Sequence, residues 1–566
     1  MMASTGGSLA DSIGERFINL AEKEPNRNWC TYFSSIEDSH TASYGDLLNR
    51  SLQFAAMFVE SHGVRKRIAI CLFQSLDLHA SFLGAILAGH IPAMMPPFSA
   101  KTEPEKLKKT VQHFLVSMNP DVVVIDNPTL LGLQATSVQL SSNIEVISPS
   151  ALTVKEGGCI KSQRGGMEIA LIQHSSGTTG LQKGVALSHQ SIVRHYESYS
   201  QAINLRAETD SIVSWLPLYH DMGLISCFIV PLLAGISIVE IPTFLWAAKP
   251  GLLFDAITKH KPTLCWLPNF AYTFLSQSLQ RGSSLAKWDL SSIRLWTNCS
   301  EPVTYQSQRV FLETFEKVGC SRISLGASYA MAENVFAVTQ ATNTMNEVIE
   351  LSRDELNRQS VGKPKSTEDT RILVSCGSPI KGVSIKILEP GTETVAKSEV
   401  GEIAIKSDFL FSEYWKNPSA TAAAFTSDGY FRTGDTGFIS GKQVFVTGRL
   451  KDIIIIQGKN LHAGDIEDCL SDIEGVVPGR IVALGLTDEI LGSERLAVLA
   501  ETSITDESEK KKITGQIRSK ISSELNITAS LIKLMPPRWL IKSTSGKIAR
   551  KENKEKLMKL IEDKHV

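Results

Sequence analysis

The sequence lacks an excess of charge of either sign. It has 58 lysine and arginine residues against 59 aspartate and glutamate residues, a formal net charge of −1 in 566 residues. A nearly neutral chain has no overall attraction to a polyanion, so this balance argues against nucleic-acid binding. The hydrophobic fraction of 43% is ordinary for a globular protein, and the length predicts about two to four domains.

Paired cysteines are also missing. The nine cysteines are scattered, include no C-x-x-C pair and are odd in number. This pattern argues against a disulfide framework or a zinc ribbon and favours reduced thiols in a cytoplasmic protein. Residues 1–17 have neither a basic segment nor an apolar core, so we expect no secretory signal.

Long apolar runs are limited to residues 222–239, MGLISCFIVPLLAGISIV. These 18 positions barely reach the length that a transmembrane helix needs, and Gly223, Pro231 and Gly235 interrupt them. We therefore predict a buried helix that runs into a buried strand, and no transmembrane segment.

Short β-branched runs alternate with helical stretches over most of the chain. This alternation predicts an α/β fold with layered, mostly parallel sheets. The predicted strands are 67–73, 121–125, 169–172, 235–241 and 263–268, and the predicted helices are 81–92 and 104–118.

The pattern changes after about residue 370, where short strands and polar turns predict a small β-rich subdomain. The last segment has the pattern of a small, mobile α+β domain, with helices at 465–474 and 508–525 and strands at 480–486 and 495–501. We predict an N-terminal domain at 1–447, a hinge at 448–452 and a C-terminal domain at 453–566. The polar segment 343–370 is predicted to be a surface insertion.

Residues 174–184, HSSGTTGLQKG, give the strongest local signal. They do not form the common nucleotide-binding P-loop, because Gln182 replaces its second glycine and Gly184 follows Lys183. Glycines nevertheless allow backbone N–H groups to converge on an anion, and the hydroxyl groups and the lysine add donors. This loop is predicted to bind a polyphosphate.

Further motifs follow the loop in a fixed order. They are SYAMAE (328–333), GYFRTGD (429–435), GRLKDIIIIQGKN (448–460) and STSGKIAR (543–550). With the loop they resemble the signatures of the adenylate-forming superfamily, which includes acyl-CoA synthetases, luciferases and the adenylation domains of peptide synthetases. The resemblance covers residues 170–550 and implies that a carboxylic acid and ATP form an acyl adenylate and pyrophosphate.

The same resemblance implies a site for ATP. Tyr329 is expected against the adenine, Asp435 on the two ribose hydroxyls, and Arg449 near the ribose or the α-phosphate. The residues expected to bind ATP are Ser175, Ser176, Gly177, Thr178, Thr179, Gly180, Lys183, Ser300, Glu301, Tyr329, Ala330, Asp435 and Arg449.

The catalytic groups are implied in the same way. Lys547 is expected to bridge the carboxylate and the α-phosphate, and Glu333 is expected to hold Mg²⁺, a cation that prefers oxygen ligands. The expected catalytic set is Lys547, His220, Thr178 and Glu333. Lys451 matches the hinge at which the C-terminal domain of such enzymes rotates between two poses.

One stretch favours a particular branch of the superfamily. LPLYHDMGL (216–224) and NCSEPV (298–303) resemble the fatty acyl-AMP ligases. This implies that His220 lies at the mouth of an acyl pocket and that the insertion at 343–370 hinders the pose needed for free CoA. The acceptor would then be the phosphopantetheine arm of a separate holo acyl carrier protein, since no carrier motif precedes Val566.

Local composition indicates residues for the acyl pocket and for the surface that would contact the carrier protein. Aromatic residues expected at the pocket are Trp215, Phe228, Phe244, Trp246, Trp266 and Phe270. A basic tail is a candidate docking face for an acidic carrier, although the pattern favours an ordinary solvated helix. Its clustered cations are Arg550, Lys551, Lys554, Lys556 and Lys559.

Three alternatives stay open. An acyl-CoA ligase and an amino-acid or aryl-acid adenylating enzyme share most motifs, and Asp221 stands where amino-acid enzymes keep an aspartate. A non-catalytic adenylate-binding protein would be expected to lack a charged catalytic residue, yet these are all present. Departures from the motifs are confined to Gln182, Cys299, Ala330, Ala463 and Ile541, and Cys299 is expected to alter the adenine pocket.

Overall fold

The fold is taken from a computed structural model. The structure describes residues 12–60, 65–97, 104–127, 129–130, 143–152, 166–174, 183–280, 285–367, 369–396, 399–456, 459–488, 493–525, 527–543 and 546–562.

A large, mostly parallel sheet forms the centre of the N-terminal region. Its inner strands are continuous apolar runs, as expected for strands with both faces covered. Within the described residues it has nine strands, and only the pairings at its two edges are antiparallel. Their order across the sheet is Ser378–Pro379, Thr339–Thr342, Leu325–Ala327, Leu295–Cys299, Leu264–Pro268, Ser211–Ser214, Ser237–Glu240, Asn28–Phe33 and Ser39–Ser43.

Two further sheets pack beside the first. A parallel sheet contains Ile91–Met94, Arg67–Cys71, Val122–Ile125 and Glu145–Ile147. An antiparallel sheet contains Glu413–Tyr414, Gly184–Ser188 and Ile169–His174. In the antiparallel sheet, the strand Ile169–His174 precedes the glycine-rich loop and the strand Gly184–Ser188 follows it. This sheet therefore fixes both ends of the loop.

Helices cover the sheets, and several begin at a side chain that caps them. Ser188, for example, accepts a hydrogen bond from the backbone of Ser191, which satisfies one of the free N–H groups at a helix start. The N-terminal helices are Ile13–Lys23, Tyr44–Glu60, Leu76–Leu87, Pro104–Met118, His189–Ala202, Met222–Ile229 (a π-helix), Val230–Ala234, Thr243–Ala248, Leu252–His260, Asn269–Gln280, Tyr305–Phe315, Arg353–Asn357 and Pro418–Ala423.

The β-rich subdomain is present and is antiparallel throughout. Its strands are Val383–Leu388, Gly401–Ser407, Phe431–Ser440 and Gln443–Arg449. The polar insertion is folded, because Val348–Ser352 pairs with Thr370–Val374. Leu351, Leu356 and Leu373 bury their side chains against Phe438 and Phe445 of the subdomain.

The C-terminal region has its own apolar cores. Its helices are Ala463–Cys469, Glu507–Leu525 and Arg550–Glu562, and its strands are Ile453–Ile456, Lys459–His462, Ile481–Asp488, Ser493–Glu501 and Ala529–Met535. Buried side chains up to Phe445 belong to the apolar clusters of the N-terminal region, and those from Ile454 onward belong to the clusters of the C-terminal region. The predicted hinge at 448–452 lies in this interval, and its motion stays a prediction.

The predicted α/β architecture is confirmed, although one predicted helix differs at its end. The helix predicted at 81–92 is wrong at its end, because the helix stops at Leu87 and Ile91–Met94 is a strand beside Arg67–Cys71. Residues 222–239 form buried helix and strand, as predicted. Among the described residues, no helix is both long and apolar enough to cross a membrane.

Candidate functional site

Three of the predicted nucleotide-binding residues lie in direct contact. The hydroxyl of Tyr329 donates to Oδ2 of Asp435 at 2.7 Å, and Nε of Arg449 lies 2.8 Å from Oδ1 of the same carboxylate. Asp435 and Tyr329 are buried, while the side chain of Arg449 is 47% exposed. Burial and the charge of Asp435 raise the pKa of Tyr329, which keeps its hydroxyl protonated as a donor.

Strand pairing explains this contact between residues far apart in sequence. Asp435 and Arg449 are direct partners in the antiparallel pair Phe431–Ser440 and Gln443–Arg449. The turn before Asp435 contains Gly434 at φ +71°, a conformation that favours glycine. Thr433 accepts a hydrogen bond from the backbone of Asp435, so the turn holds the carboxylate toward Tyr329.

Glu333 lies in a second group with two residues from other segments. The hydroxyl of Tyr414 donates to Oε1 of Glu333 at 2.9 Å, and Nζ of Lys183 lies 4.1 Å from the centroid of the Tyr414 ring. Burial raises the pKa of Glu333, and the hydrogen bond from Tyr414 opposes this. A divalent cation beside this carboxylate would favour its charged form, so Glu333 fits the predicted role of metal ligand.

Tyr414 is missing from the predicted site. It belongs to the short strand Glu413–Tyr414, which pairs with Gly184–Ser188 directly after the glycine-rich loop. In the sequence it is one of two adjacent aromatic residues in SEYWKNP (412–418), which does not distinguish it from a core residue. Its ring lies against Lys183 and its hydroxyl donates to Glu333, so it connects two of the predicted site residues.

We expect Tyr414→Phe to lower kcat/KM for MgATP by about 10-fold, because Glu333 loses a hydrogen bond to its charged form. Tyr414→Ala should lose about a further threefold, because the ring under Lys183 is also removed. Pyrophosphate release at varied ATP and Mg²⁺ concentrations measures both. Tyr430→Phe is the matched control, since its ring lies 4.1 Å from Nζ of Lys386 away from this group; equal losses in Tyr430→Phe and Tyr414→Phe would contradict the assignment.

The loop residues Ser175, Ser176, Gly177, Thr178, Thr179 and Gly180 lie outside the described residues. The strand Ile169–His174 leads to them, and Lys183 follows them. At its end, His174 is buried, and burial lowers its pKa to about 4, so it is neutral at physiological pH. The polyphosphate role of the loop stays a prediction.

Lys547 of the C-terminal region lines a cavity together with residues of the N-terminal region. The same cavity is lined by His220 and Ser300, and Gly546 lies beside the ring of Phe270. Burial and the nearby charge of Arg449 lower the pKa of Lys547, while Asp221 and Glu301 oppose this. The predicted ammonium group therefore lies in the electrostatic field of both carboxylates and of Arg449.

His220 lines this cavity and lies in contact with Asp221. Nδ1 of His220 lies 2.6 Å from Oδ1 of Asp221, which also accepts from the backbone of Met222 at 2.8 Å. Burial favours the neutral form of Asp221, but His220 and Lys547 more than offset this, so its pKa is lowered. Gly223 is required here, because a Cβ would lie 2.3 Å from the carbonyl oxygen of Pro217.

The segment around Ser300 differs in part from its predicted role. Ser300 has φ +71°, an uncommon conformation for a residue with a side chain, and it lines the cavity. Glu301 accepts a hydrogen bond from the backbone of Phe270 at 2.8 Å, so it fixes the start of the helix Asn269–Gln280.

The side chain of Cys299 is buried against Met222, so the expected alteration of the adenine pocket has no support here. Ala330 forms a backbone bridge with Ala337.

The cavity beside Lys547 has a volume of about 250 Å³ and mostly apolar walls. Trp215, Trp246 and Phe270 line it, as predicted. The prediction is wrong for the other three aromatic residues. Phe228 packs on His79 and Phe82, Trp266 donates to Tyr199, and Phe244 is half exposed beside Phe73.

A separate buried cluster contains three residue types that often bind metals, Cys30, His79 and Glu240. The indole N–H of Trp29 donates to Nδ1 of His79 at 3.2 Å, so Nδ1 carries no proton. A neutral imidazole then has its proton on Nε2, which faces Glu240 at 3.4 Å. A metal-binding histidine normally donates its other ring N–H outward, whereas Nδ1 of His79 accepts from Trp29, so this cluster does not have the usual pattern of a metal site.

The hinge and the basic tail complete the predicted set. Lys451 is exposed in the short helix Leu450–Asp452. In the tail, Arg550 forms ion pairs with Asp452 and Glu467, and Lys556 donates to the carbonyl of Trp539. These cations have internal partners, which weakens the hypothesis that the tail is a carrier-docking face.

Comparisons with known proteins identify the family of the chain. The profile of the family described as AMP-binding enzyme matches residues 17–415. The medium-chain-fatty-acid–(acyl-carrier-protein) ligase JamA of Moorena producens is 30% identical over 543 residues, which are 91% of this chain and 89% of that protein.

Solved structures are similar over almost the whole length. A fatty acyl-adenylate ligase from L. pneumophila, in complex with acyl adenylate and pyrophosphate, has 27% identity and a TM-score of 0.73, with 97% of this chain and 96% of that chain covered. A chain from structural and functional studies of fatty acyl-adenylate ligases from E. coli and L. pneumophila has a TM-score of 0.88 at 24% identity, and 98% of each chain is covered.

Proposed function

Because the chain belongs to the AMP-binding enzyme family, we propose that it activates a carboxylic acid, of the fatty acid class, with ATP and passes the acyl group to the thiol of an acyl carrier protein. The observation that carries this proposal is the cavity at which Lys547 meets His220 and Ser300. An apolar cavity that ends at the ammonium group of Lys547 and the imidazole of His220 suits an acid with an apolar tail.

In the first half-reaction, a carboxylate oxygen attacks the α-phosphorus of ATP, the bond to the bridging oxygen breaks, and pyrophosphate leaves. Asp435, with Arg449 and Tyr329 fixed on it, is proposed to hold the ribose. Lys547 is proposed to neutralise the charge that builds between the carboxylate and the α-phosphate. Glu333 is proposed to hold Mg²⁺, which when bound would neutralise phosphate charge.

In the second half-reaction, the thiol sulfur of the carrier attacks the acyl carbon. The bond from that carbon to the phosphate oxygen breaks, AMP leaves, and the thiol proton passes to solvent. Lys547 must move away to open a path, and the hinge at Lys451 is proposed to allow this.

The insertion supports a carrier protein over free CoA as the acceptor. The strand Thr370–Val374, which pairs with the insertion, places Arg371 in an ion pair with Asp465 of the C-terminal region. Leu356 and Arg353 of the same insertion lie beside Leu461 and Ile466. These contacts would restrain the C-terminal domain in the pose seen here. The second pose is therefore proposed to require a further contact, which a docked carrier protein supplies and free CoA does not.

The acceptor is tested by incubating the enzyme with acid, Mg²⁺ and ATP and adding either CoA or a holo acyl carrier protein. We expect acyl-carrier product and at least about 10-fold less acyl-CoA, measured by mass spectrometry at equal thiol concentration. An apo carrier without the phosphopantetheine arm is the control. Robust acyl-CoA formation would favour the acyl-CoA ligase, the alternative that shares the same site residues.

A further inference from the structure

Two tryptophans of the acyl cavity are stacked face to face. The rings of Trp215 and Trp246 lie 3.6 Å apart with an interplanar angle of 5°. Both side chains are buried, and Trp246 is the buried residue of the short helix Thr243–Ala248. Thr243 at the start of this helix donates to the carbonyl of Trp215 at 2.8 Å, so the helix and the stacked pair are fixed together.

Ring contacts give the order of residues along the cavity. Gly546, next to Lys547, lies against the ring of Phe270. The Phe270 ring is 6.3 Å from Trp215, and Trp246 continues to Phe274 at 5.6 Å. Trp246 is therefore two ring contacts farther from the reacting end than Phe270 is, and it forms part of the far wall.

The volume limits the acid that this wall admits. An apolar cavity of about 150 Å³ accommodates benzene, with six carbon atoms. The 250 Å³ of this cavity thus has room for about ten carbon atoms. Close-packed interiors do not stretch freely to accept a larger guest, so a longer chain requires the stacked pair to move.

We propose that Trp246, held flat against Trp215, is the residue that limits the acyl chain and makes the substrate a medium-chain acid of about eight to ten carbons. This inference rests on the proposed function and deepens it. It assigns chain-length selection to one side chain that does not touch the reacting carboxylate. Phe270 and Trp215 remain as side walls when Trp246 is shortened.

The test compares octanoic and tetradecanoic acid in pyrophosphate-release assays of the wild type, Trp246→Ala and Trp246→Leu. The wild type should prefer the shorter acid by at least about 10-fold in kcat/KM, since each methylene that a pocket rejects costs about that much. Trp246→Ala should reduce this preference by at least about 10-fold, and Trp246→Leu should lie between. Thermal melting identifies folded protein, and Trp246→Leu retains a buried apolar group if the alanine variant does not fold.

Phe244→Ala is the matched control, because Phe244 lies on the same helix with its side chain 48% exposed and outside the cavity. It should leave the chain-length preference unchanged. If the wild type forms adenylate but both Trp246 variants keep its preference, this inference is overturned and the proposed function stands. If no acid supports pyrophosphate release, the proposed function fails and the inference fails with it.

Discussion

Replacing Lys547 with alanine is expected to slow acyl-adenylate formation by about 10²–10³-fold, the usual cost of removing one group that stabilises charge in a transition state. Lys547 lies at the cavity with His220 and Ser300 and in the field of Asp221 and Glu301. Its charge is needed when negative charge builds on the α-phosphate. The rate of pyrophosphate release with saturating acid and ATP measures the effect.

Two controls separate this role from a general loss of structure. Lys559→Ala, an exposed lysine of the C-terminal helix Arg550–Glu562, should retain full activity. Lys547→Ala should also transfer a supplied acyl adenylate to the carrier at close to the wild-type rate, because that step breaks no bond to the α-phosphorus. Equal losses in both half-reactions would show that Lys547 acts through the fold and not on the phosphate.

The pH profile gives a second readout of the same group. Burial and Arg449 lower the pKa of Lys547, so its charged form is lost at a lower pH than for an exposed lysine. Adenylate formation should therefore be intact below that pKa and fall as the pH rises through it. The transfer of supplied adenylate should lack this alkaline loss.

The motifs in the sequence indicate the polar and charged residues of the candidate site better than the aromatic residues that line the cavity. Tyr329, Asp435 and Arg449 stand in motifs that resemble those of the family. Strand pairing joins Asp435 to Arg449, and a side-chain hydrogen bond joins Tyr329 to Asp435. Aromatic residues carry no such information, because burial in a core and burial at a cavity have the same pattern. The sequence pattern therefore places Phe228 and Trp266 at the pocket, although both side chains belong to the core.

Contacts between segments that are far apart in the chain also could not be predicted from the sequence. Tyr414 reaches Glu333 only because its two-residue strand pairs with the strand after the glycine-rich loop. The polar insertion has no apolar periodicity in its sequence, yet Leu351 and Leu356 pack it onto the subdomain. Short elements of this kind are set by tertiary packing, which outweighs local propensity.

The second large effect is expected at the other end of the nucleotide site. Asp435→Asn should lower kcat/KM for ATP by about 10²-fold. The asparagine keeps the size and one acceptor oxygen but loses the charge that strengthens hydrogen bonds from two ribose hydroxyls. Both carboxylate oxygens already accept from Tyr329 and Arg449, and each oxygen has a second lone pair for the ribose. Asp428→Asn, an exposed aspartate paired with Lys386, is the matched control and should have no effect.

A comparison of ATP with 2′-deoxyATP tests whether Asp435 acts on the sugar. The wild type should lose about 10-fold in kcat/KM with the deoxy nucleotide, because a charge-assisted hydrogen bond is missing. Asp435→Asn should lose much less on the same change, since the two alterations remove one shared interaction and are therefore not additive. If the variant discriminates between the nucleotides as strongly as the wild type, Asp435 does not bind the 2′-hydroxyl and only organises Tyr329 and Arg449.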